Sequence, residues 1–237
     1  MTRCLEENRV ILNAVKQGMQ KALPIGMGYF PLGLAFGVIA QNAGLSVGEV
    51  GFMSLLLFSG SGQFITVALL SMGTGFWTIV LTILLVNSRY MLFSATLSRY
   101  VKKLSYWVTA LICQGLTDET FVVSTTHFQQ NDVDPKFWLS LNLTSHAVWI
   151  SSTMLGAAVG NFIPHMEKLG LNFALPAMFI ALFFMTAANF KAVLSGVTAG
   201  IFSLMLLSWG FSDASVIMAT VLAATAGVVM NKWIPGS

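Results

Sequence analysis

An all-α, polytopic membrane protein is predicted by three features of the sequence. Six runs, Ala22 to Gly48, Val50 to Ser88, Phe137 to Pro164, Leu169 to Phe190, Ala192 to Ser212 and Ala214 to Asn231, contain no Asp, Glu, Lys or Arg. The 237-residue chain is 56% hydrophobic and 9% charged, with a mean hydropathy of +0.77, whereas soluble domains carry about 25% charged residues. The charges are thus segregated, falling at residues 1–21, at 89–136 and at a few positions between the other runs. About 20 apolar residues cross a bilayer, and the second run is long enough for two passes, so roughly seven to eight hydrophobic segments are expected.

These segments form a single membrane domain, with residues 22–231 as the bundle. Residues 1–21 mix Glu with Lys and Arg and have no compact apolar core ending in a small-residue cleavage site. They read as a cytoplasmic amphipathic lead-in helix rather than a signal peptide. The net charge of +3 and pI near 9.0 fit a Lys and Arg excess that sets membrane topology, and no nucleic-acid signal is present. Cys4 and Cys113 support neither a disulfide framework nor a metal site, and no cofactor motif is found.

The first segment is expected to be broken. Pro24 and Pro31 each remove a backbone donor, and Gly26, Gly28 and Gly33 loosen what remains. Backbone groups freed at membrane depth need partners in protein or a water-filled cavity, which makes the stretch a candidate substrate site. The second segment, Val50 to Met72, carries Gly60, Ser61, Gly62 and Gln63 ahead of Phe64. Such a run is weak as a helix and costly against lipid. Two readings stand: a second break offering Ser61 and Gln63 to substrate, or a close helix crossing on small residues.

The third segment, Gly75 to Leu97, contains Asn87 and Arg89. Arg89 lies about 15 Å along a helix from the basic group at Arg99, Lys102 and Lys103. It either sits buried, where a guanidinium can bind a carboxylate, or snorkels to the interface. The fourth segment, Ser105 to Thr126, holds Asp118 and Glu119. Intramembrane carboxylates are costly unless paired, solvated or protonated, and they mark proton relays and cavities. Adjacent helical positions diverge by about 100°, so one acid can face a partner helix and the other a cavity. The bland alternative is a static bridge to Arg89.

His127 to Lys136 reads as a loop, with Pro135 in the first turn of the next helix. The fifth segment, Phe137 to Asn161, places His146 mid-span, either as a titrating group or as a neutral ring bonded between helices. His165 reads as a loop residue. The sixth segment repeats Ala22-Leu23-Pro24 as Ala174-Leu175-Pro176, a weak sign of an inverted repeat. Gly196 and Gly200 have the spacing of a helix contact.

The positive-inside rule puts the lead-in and the cluster at Arg99 to Lys103 on the cytoplasmic side. Three full crossings between them would place them on opposite sides. A re-entrant hairpin turning at Gly60 to Gly62 removes the conflict, as does a third segment with one end bent back; the hairpin is the favoured reading. Cysteine labelling at positions 46 and 71 tests this, because labels reporting opposite faces would mean that the segment spans.

The motifs Pro24-Ile25-Gly26 through Pro31-Leu32-Gly33-Leu34-Ala35-Phe36-Gly37, Ser59-Gly60-Ser61-Gly62-Gln63-Phe64, Asn87-Ser88-Arg89-Tyr90, Thr117-Asp118-Glu119-Thr120 and Leu171-Asn172-Phe173-Ala174-Leu175-Pro176-Ala177-Met178 follow one another across residues 15 to 180. Together they resemble the AzlC family, the large subunit of bacterial branched-chain amino acid exporters. That family carries His after the arginine and Asp in the last motif. Here Tyr90 and Asn172 stand there, so no role for a charge at either position carries over.

The resemblance implies a multi-pass protein of the bacterial cytoplasmic (inner) membrane that exports valine, leucine, isoleucine and methionine with a small AzlD-type membrane subunit. No Gly-rich phosphate loop is present, so the chain does not itself hydrolyse ATP.

On this reading an aliphatic amino acid binds where the first segment meets Ser61 to Phe64. The substrate-binding set is Pro24, Gly26, Gly28, Pro31, Gly60, Ser61, Gly62, Gln63, Phe64, Asn87 and Arg89, with Phe36 and Phe58 adding apolar surface. Asp118, Glu119 and His146 form the proton-coupling set. A channel for small neutral or anionic solutes is the alternative; trans-stimulation by unlabelled substrate marks a carrier and not a channel. A membrane enzyme has no supporting nucleophile motif or metal-ligand spacing.

Overall fold

The computed structural model describes residues 2–102, 104–160, 162, 173, 180, 190–209, 222–223 and 225–227. Among them are nine α-helices and no strands: α1 (Thr2–Asn42), α2 (Val47–Leu56), α3 (Gly60–Ser71), α4 (Phe76–Asn87), α5 (Arg89–Val101), α6 (Tyr106–Gln114), α7 (Asp118–Gln130), α8 (Pro135–Gly160) and α9 (Phe190–Ser208). The chain divides into two compact units, Met1–Leu175 and Pro176–Ser237. The candidate site lies wholly in the first.

The expected break in the first segment does not occur. α1 runs unbroken for 41 residues with Pro24 and Pro31 inside it, a length of about 60 Å, and the lead-in continues into the membrane helix without a boundary at residue 21. Each proline forfeits one hydrogen bond and strains its turn, at a cost of about 3 kcal/mol. A second helix along the other side offsets that cost. Pro24, Gly28 and Pro31 share one exposed face, whereas Ala22, Ile25, Gly26, Tyr29, Gly33 and Phe36 are buried.

The buried face packs along α8. A Cβ added to Gly33 would strike Ser152, one on Gly37 would meet the Thr153 carbonyl oxygen and the Ala157 nitrogen, and one on Gly156 of α8 would strike the Leu34 carbonyl oxygen. The two backbones therefore approach as closely as small-residue interfaces allow in membranes. Gly33 does not break α1; it lets α8 pack closely against a helix that continues through both prolines. Pro135 opens α8 as expected.

Breaks appear elsewhere. The second segment parts at Leu57 to Ser59, just before Gly60, and the glycine-rich run begins α3. α2 lies along α8, while α3 packs on α4 and α1. The third segment bends by 40° at Ser88, between α4 and α5. The fourth divides into α6 and α7 at Gly115 to Thr117, and α7 extends to Gln130, so His127 is helical.

Among the described residues, Arg9–Asn42 is long and apolar enough to cross a membrane by itself, and the bent α4–α5 pair makes a second span if taken as one. Seven to eight long segments are not seen there; short helices joined at polar junctions occupy much of that sequence. The surface is apolar: Phe52, Leu84, Met91, Leu92 and Trp107 are more than 60% exposed. Exposed apolar area of this extent suits lipid contact.

In the second unit, Ser195 of α9 bonds the Ala223 carbonyl at 3.2 Å, and Gly200 has open space around it. Asn172, Pro176 and His165 lie outside the described residues, and with them the suggested repeat.

Candidate functional site at the helix junctions

The three junctions converge. Each leaves helix-end backbone groups without intrahelical partners, which side chains must satisfy. Ser59 caps α3: its Oγ accepts the Gly62 N–H at 3.3 Å and donates to Asn87 Oδ1, the last residue of α4, at 2.8 Å. The Tyr90 hydroxyl reaches the same oxygen at 3.4 Å. Thr117 caps α7 in a reciprocal box with Thr120, with the Thr120 N–H donating to Thr117 Oγ1 at 3.2 Å and the Thr117 N–H donating to Thr120 Oγ1 at 2.8 Å.

Asp118 and Glu119 therefore occupy the first turn of α7, where the helix dipole favours negative charge by about 0.3–1 kcal/mol each. They diverge as their spacing requires. Asp118 Oδ2 pairs with Arg89 Nη2 at 3.1 Å, with the two side chains 15% and 28% exposed. Glu119 Oε2 lies 2.7 Å from the Tyr29 hydroxyl of α1, which is also 2.7 Å from Thr117 Oγ1. Arg89 Nη2 donates to Ser61 Oγ at 2.9 Å as well, while Arg89 Nε is buried with no hydrogen-bond partner. The guanidinium thus holds an unspent donor beside its bound acid. Arg89 does not snorkel; it sits at the bend in the middle of α4–α5.

A second network backs the first. Gln63 is fully buried. Its Oε1 accepts the Trp149 indole N–H at 2.6 Å, and its amide donates to Ser54 Oγ at 3.0 Å, with Thr153 Oγ1 a further 2.8 Å from Ser54. His146 Nε2 lies 2.9 Å from the Ser54 carbonyl, an acceptor left over at the end of α2. Its ring stacks on Phe58 at 4.2 Å. Tyr29 packs edge-on against Phe58 and Trp149, and Phe36 against Phe64 at 5.2 Å.

The structure thus brings together Ser61, Gly62, Gln63, Phe64, Asn87, Arg89, Asp118 and Glu119, with Gly60 at the start of α3 and His146 behind Phe58. It separates the rest of the expected set. Pro24, Gly28 and Pro31 point away, on the exposed face of α1. Gly26 lines an open apolar groove of about 400 Å³ with Ala22, Leu23, Met27, Phe30 and Val148, outside the polar junctions. The reason is the unbroken helix: residues seven apart return to the same face, so both prolines turn outward together.

Residues not in that set take central places. Tyr29 is the link from α1 to the acids, Trp149 and Ser54 hold Gln63, and Thr117 and Ser59 cap the junctions. A Ser or Thr directly before a new helical turn was legible as an N-cap. Tyr29 had a fainter signal, a phenol on the face opposite two prolines.

A family model described as "AzlC protein" matches residues 24–163, the stretch that contains every junction. The chain belongs to the AzlC family. Among AzlC relatives, the inner membrane protein YgaZ of Escherichia coli is 32% identical over 172 residues, 70% of each chain. An uncharacterized membrane protein of Helicobacter pylori is 28% identical over 225 residues, covering 93% of this chain and 96% of its own length. The branched-chain amino acid transport protein AzlC of Bacillus subtilis is 26% identical over 201 residues, covering 81% and 77%. The relatives' names agree with a membrane protein. No solved structure matches the chain.

Proposed function

We propose that this AzlC-family chain is the large subunit of a secondary transporter that carries branched-chain amino acids out of the cytoplasm across the bacterial inner membrane, coupled to protons. The observation that carries the reading is Arg89 at the meeting of three helix junctions. A guanidinium in mid-span, paired with Asp118 through Nη2 and retaining a free buried Nε donor, is suited to a substrate carboxylate. The name of the Bacillus subtilis relative supports branched-chain amino acids as the substrate class.

In this mechanism the substrate carboxylate meets Arg89 near Ser61, and its ammonium meets Asp118 at the start of α7. Phe36, Phe58 and Phe64 receive the aliphatic side chain. Gln63 and His146 hold the walls. The substrate leaves chemically unchanged. A small AzlD-type membrane subunit completes the transporter.

Uptake of labelled valine, leucine, isoleucine, methionine and alanine into inside-out vesicles tests this, with and without an imposed pH gradient and a co-expressed small subunit. The proposal expects the aliphatic substrates to accumulate, faster with the gradient and with the subunit. Equal, gradient-independent entry of all five would overturn it in favour of a channel.

A further inference from the structure

We infer that Glu119, not Asp118, is the carboxyl that takes up and releases the coupled proton, and that Tyr29 is the positioning residue that serves both of its charge states. The inference rests on the proton-coupled reading above. It follows from counting hydroxyl protons.

Tyr29 has one proton and two oxygens at 2.7 Å, Glu119 Oε2 and Thr117 Oγ1. With Glu119 ionised, and so able only to accept, Tyr29 donates to it and Thr117 donates to Tyr29. With Glu119 protonated, its O–H donates to Tyr29 Oη. The Tyr29 proton turns to Thr117 Oγ1, and the Thr117 proton turns to Thr120 Oγ1 at 3.3 Å. Thr120 in both states donates to the Gly115 carbonyl at 3.0 Å. Each hydroxyl keeps one donor and at least one acceptor role, and no heavy atom has to move. The chain of hydroxyls therefore fits the acid and the carboxylate alike.

Asp118 has no such freedom. Its partner Arg89 can only donate, so a proton on Oδ2 would face a donor and leave the guanidinium in a membrane segment without its counter-ion. The other titratable groups around Glu119 are committed elsewhere. Tyr90 of α5 bonds Ser59, Arg89 of α5 bonds Ser61 and Asp118, and His146 of α8 bonds the Ser54 carbonyl behind Phe58.

The test uses the purified transporter in proteoliposomes, measuring exchange of labelled for unlabelled valine at equal pH and net accumulation driven by a pH gradient. Glu119→Gln is expected to keep exchange and lose gradient-driven accumulation. Tyr29→Phe is expected to keep both and move the midpoint of the pH profile of accumulation. Asp118→Asn is expected to lose both.

An infrared difference spectrum after a pH jump needs no transport. The carboxylic acid C=O band is expected in wild type and in Asp118→Asn, and is expected to be absent in Glu119→Gln. Gradient-driven accumulation by Glu119→Gln, or a band that survives in Glu119→Gln and vanishes in Asp118→Asn, overturns the inference and leaves proton coupling intact. Wild-type exchange with no response to a pH gradient overturns the coupling itself.

Discussion

The seam between α1 and α8 and the junctions of α2–α3, α4–α5 and α6–α7 are built from similar residues to opposite ends. Along the seam, Gly33, Gly37, Ser152 and Gly156 bring two long helices into backbone contact, and the one hydroxyl among them, that of Ser152, donates within its own helix to the Trp149 carbonyl at 2.9 Å. At the junctions, Ser59 and Thr117 cap interrupted helices, and they and Ser61 bond across to neighbours. Prolines do not decide which occurs, since α1 carries two and stays whole. α1 packs along α8 over most of that helix, through close small-residue contacts, and survives. Where short helices meet, their free ends call in polar side chains, and those side chains are the ones able to meet a charged substrate.

The largest effect is expected from breaking the seam. Gly37→Leu pushes a side chain into the backbone of α8 and should cost more than the roughly 1–3 kcal/mol of ordinary overpacking, seen as loss of folded protein or a steep fall in melting temperature in detergent. At the junctions, Arg89→Ala leaves Asp118 without its partner. A destabilisation of about 3 kcal/mol is expected, the lower end for a pair this exposed. The double variant with Asp118→Ala should recover part of that stability without recovering transport, as a double-mutant cycle by chemical denaturation would show.

Gln63→Leu strands the Trp149 indole N–H and removes one of the two partners of Ser54 Oγ, and a loss of about 1–3 kcal/mol is expected by the same measurement. Gly28→Ala sharpens the contrast within α1 itself. Its Cβ meets nothing within 4 Å, so the substitution should raise stability by about 0.5–1 kcal/mol, against the collapse expected at Gly37.

The smallest effect concerns Glu49, in the first turn of α2 and between the first two charge-free runs. The Ser46 backbone N–H, and then its hydroxyl, hold the Glu49 carboxyl below the usual glutamate range. A lowered value in the folded state adds stability above that range and loses it as pH falls through it. Amide exchange at the start of α2 should therefore quicken on acidification and lose that pH dependence in Glu49→Gln.

The all-helical fold was readable because charge-free runs of sequence leave few other options in lipid. Arg89, Asp118 and Glu119 stood out because charges inside apolar segments need partners, and the structure pairs Arg89 with Asp118 and Tyr29 with Glu119. The continuity of α1 was not readable: Pro24 and Pro31 carry a strong local signal for a break, and the helix packs against Ser152 to Ala157, more than a hundred residues away. The break at Ser88 was hidden for the opposite reason, since nothing local to Val86-Asn87-Ser88 forces a bend, and the tie from Asn87 to Ser59 is tertiary. The glycine-rich run was correctly suspect, yet Gly60 to Gly62 begin a helix once Ser59 caps it.

The central claim is that the working site lies at the junctions and not on the proline face of α1. Valine exchange in proteoliposomes tests it directly, comparing Arg89→Gln with the double variant Pro24→Ala, Pro31→Ala at matched amounts of folded protein. Loss of exchange in Arg89→Gln, with the wild-type rate in the proline variant, is the predicted result. Exchange that survives in Arg89→Gln and disappears with the prolines would contradict it.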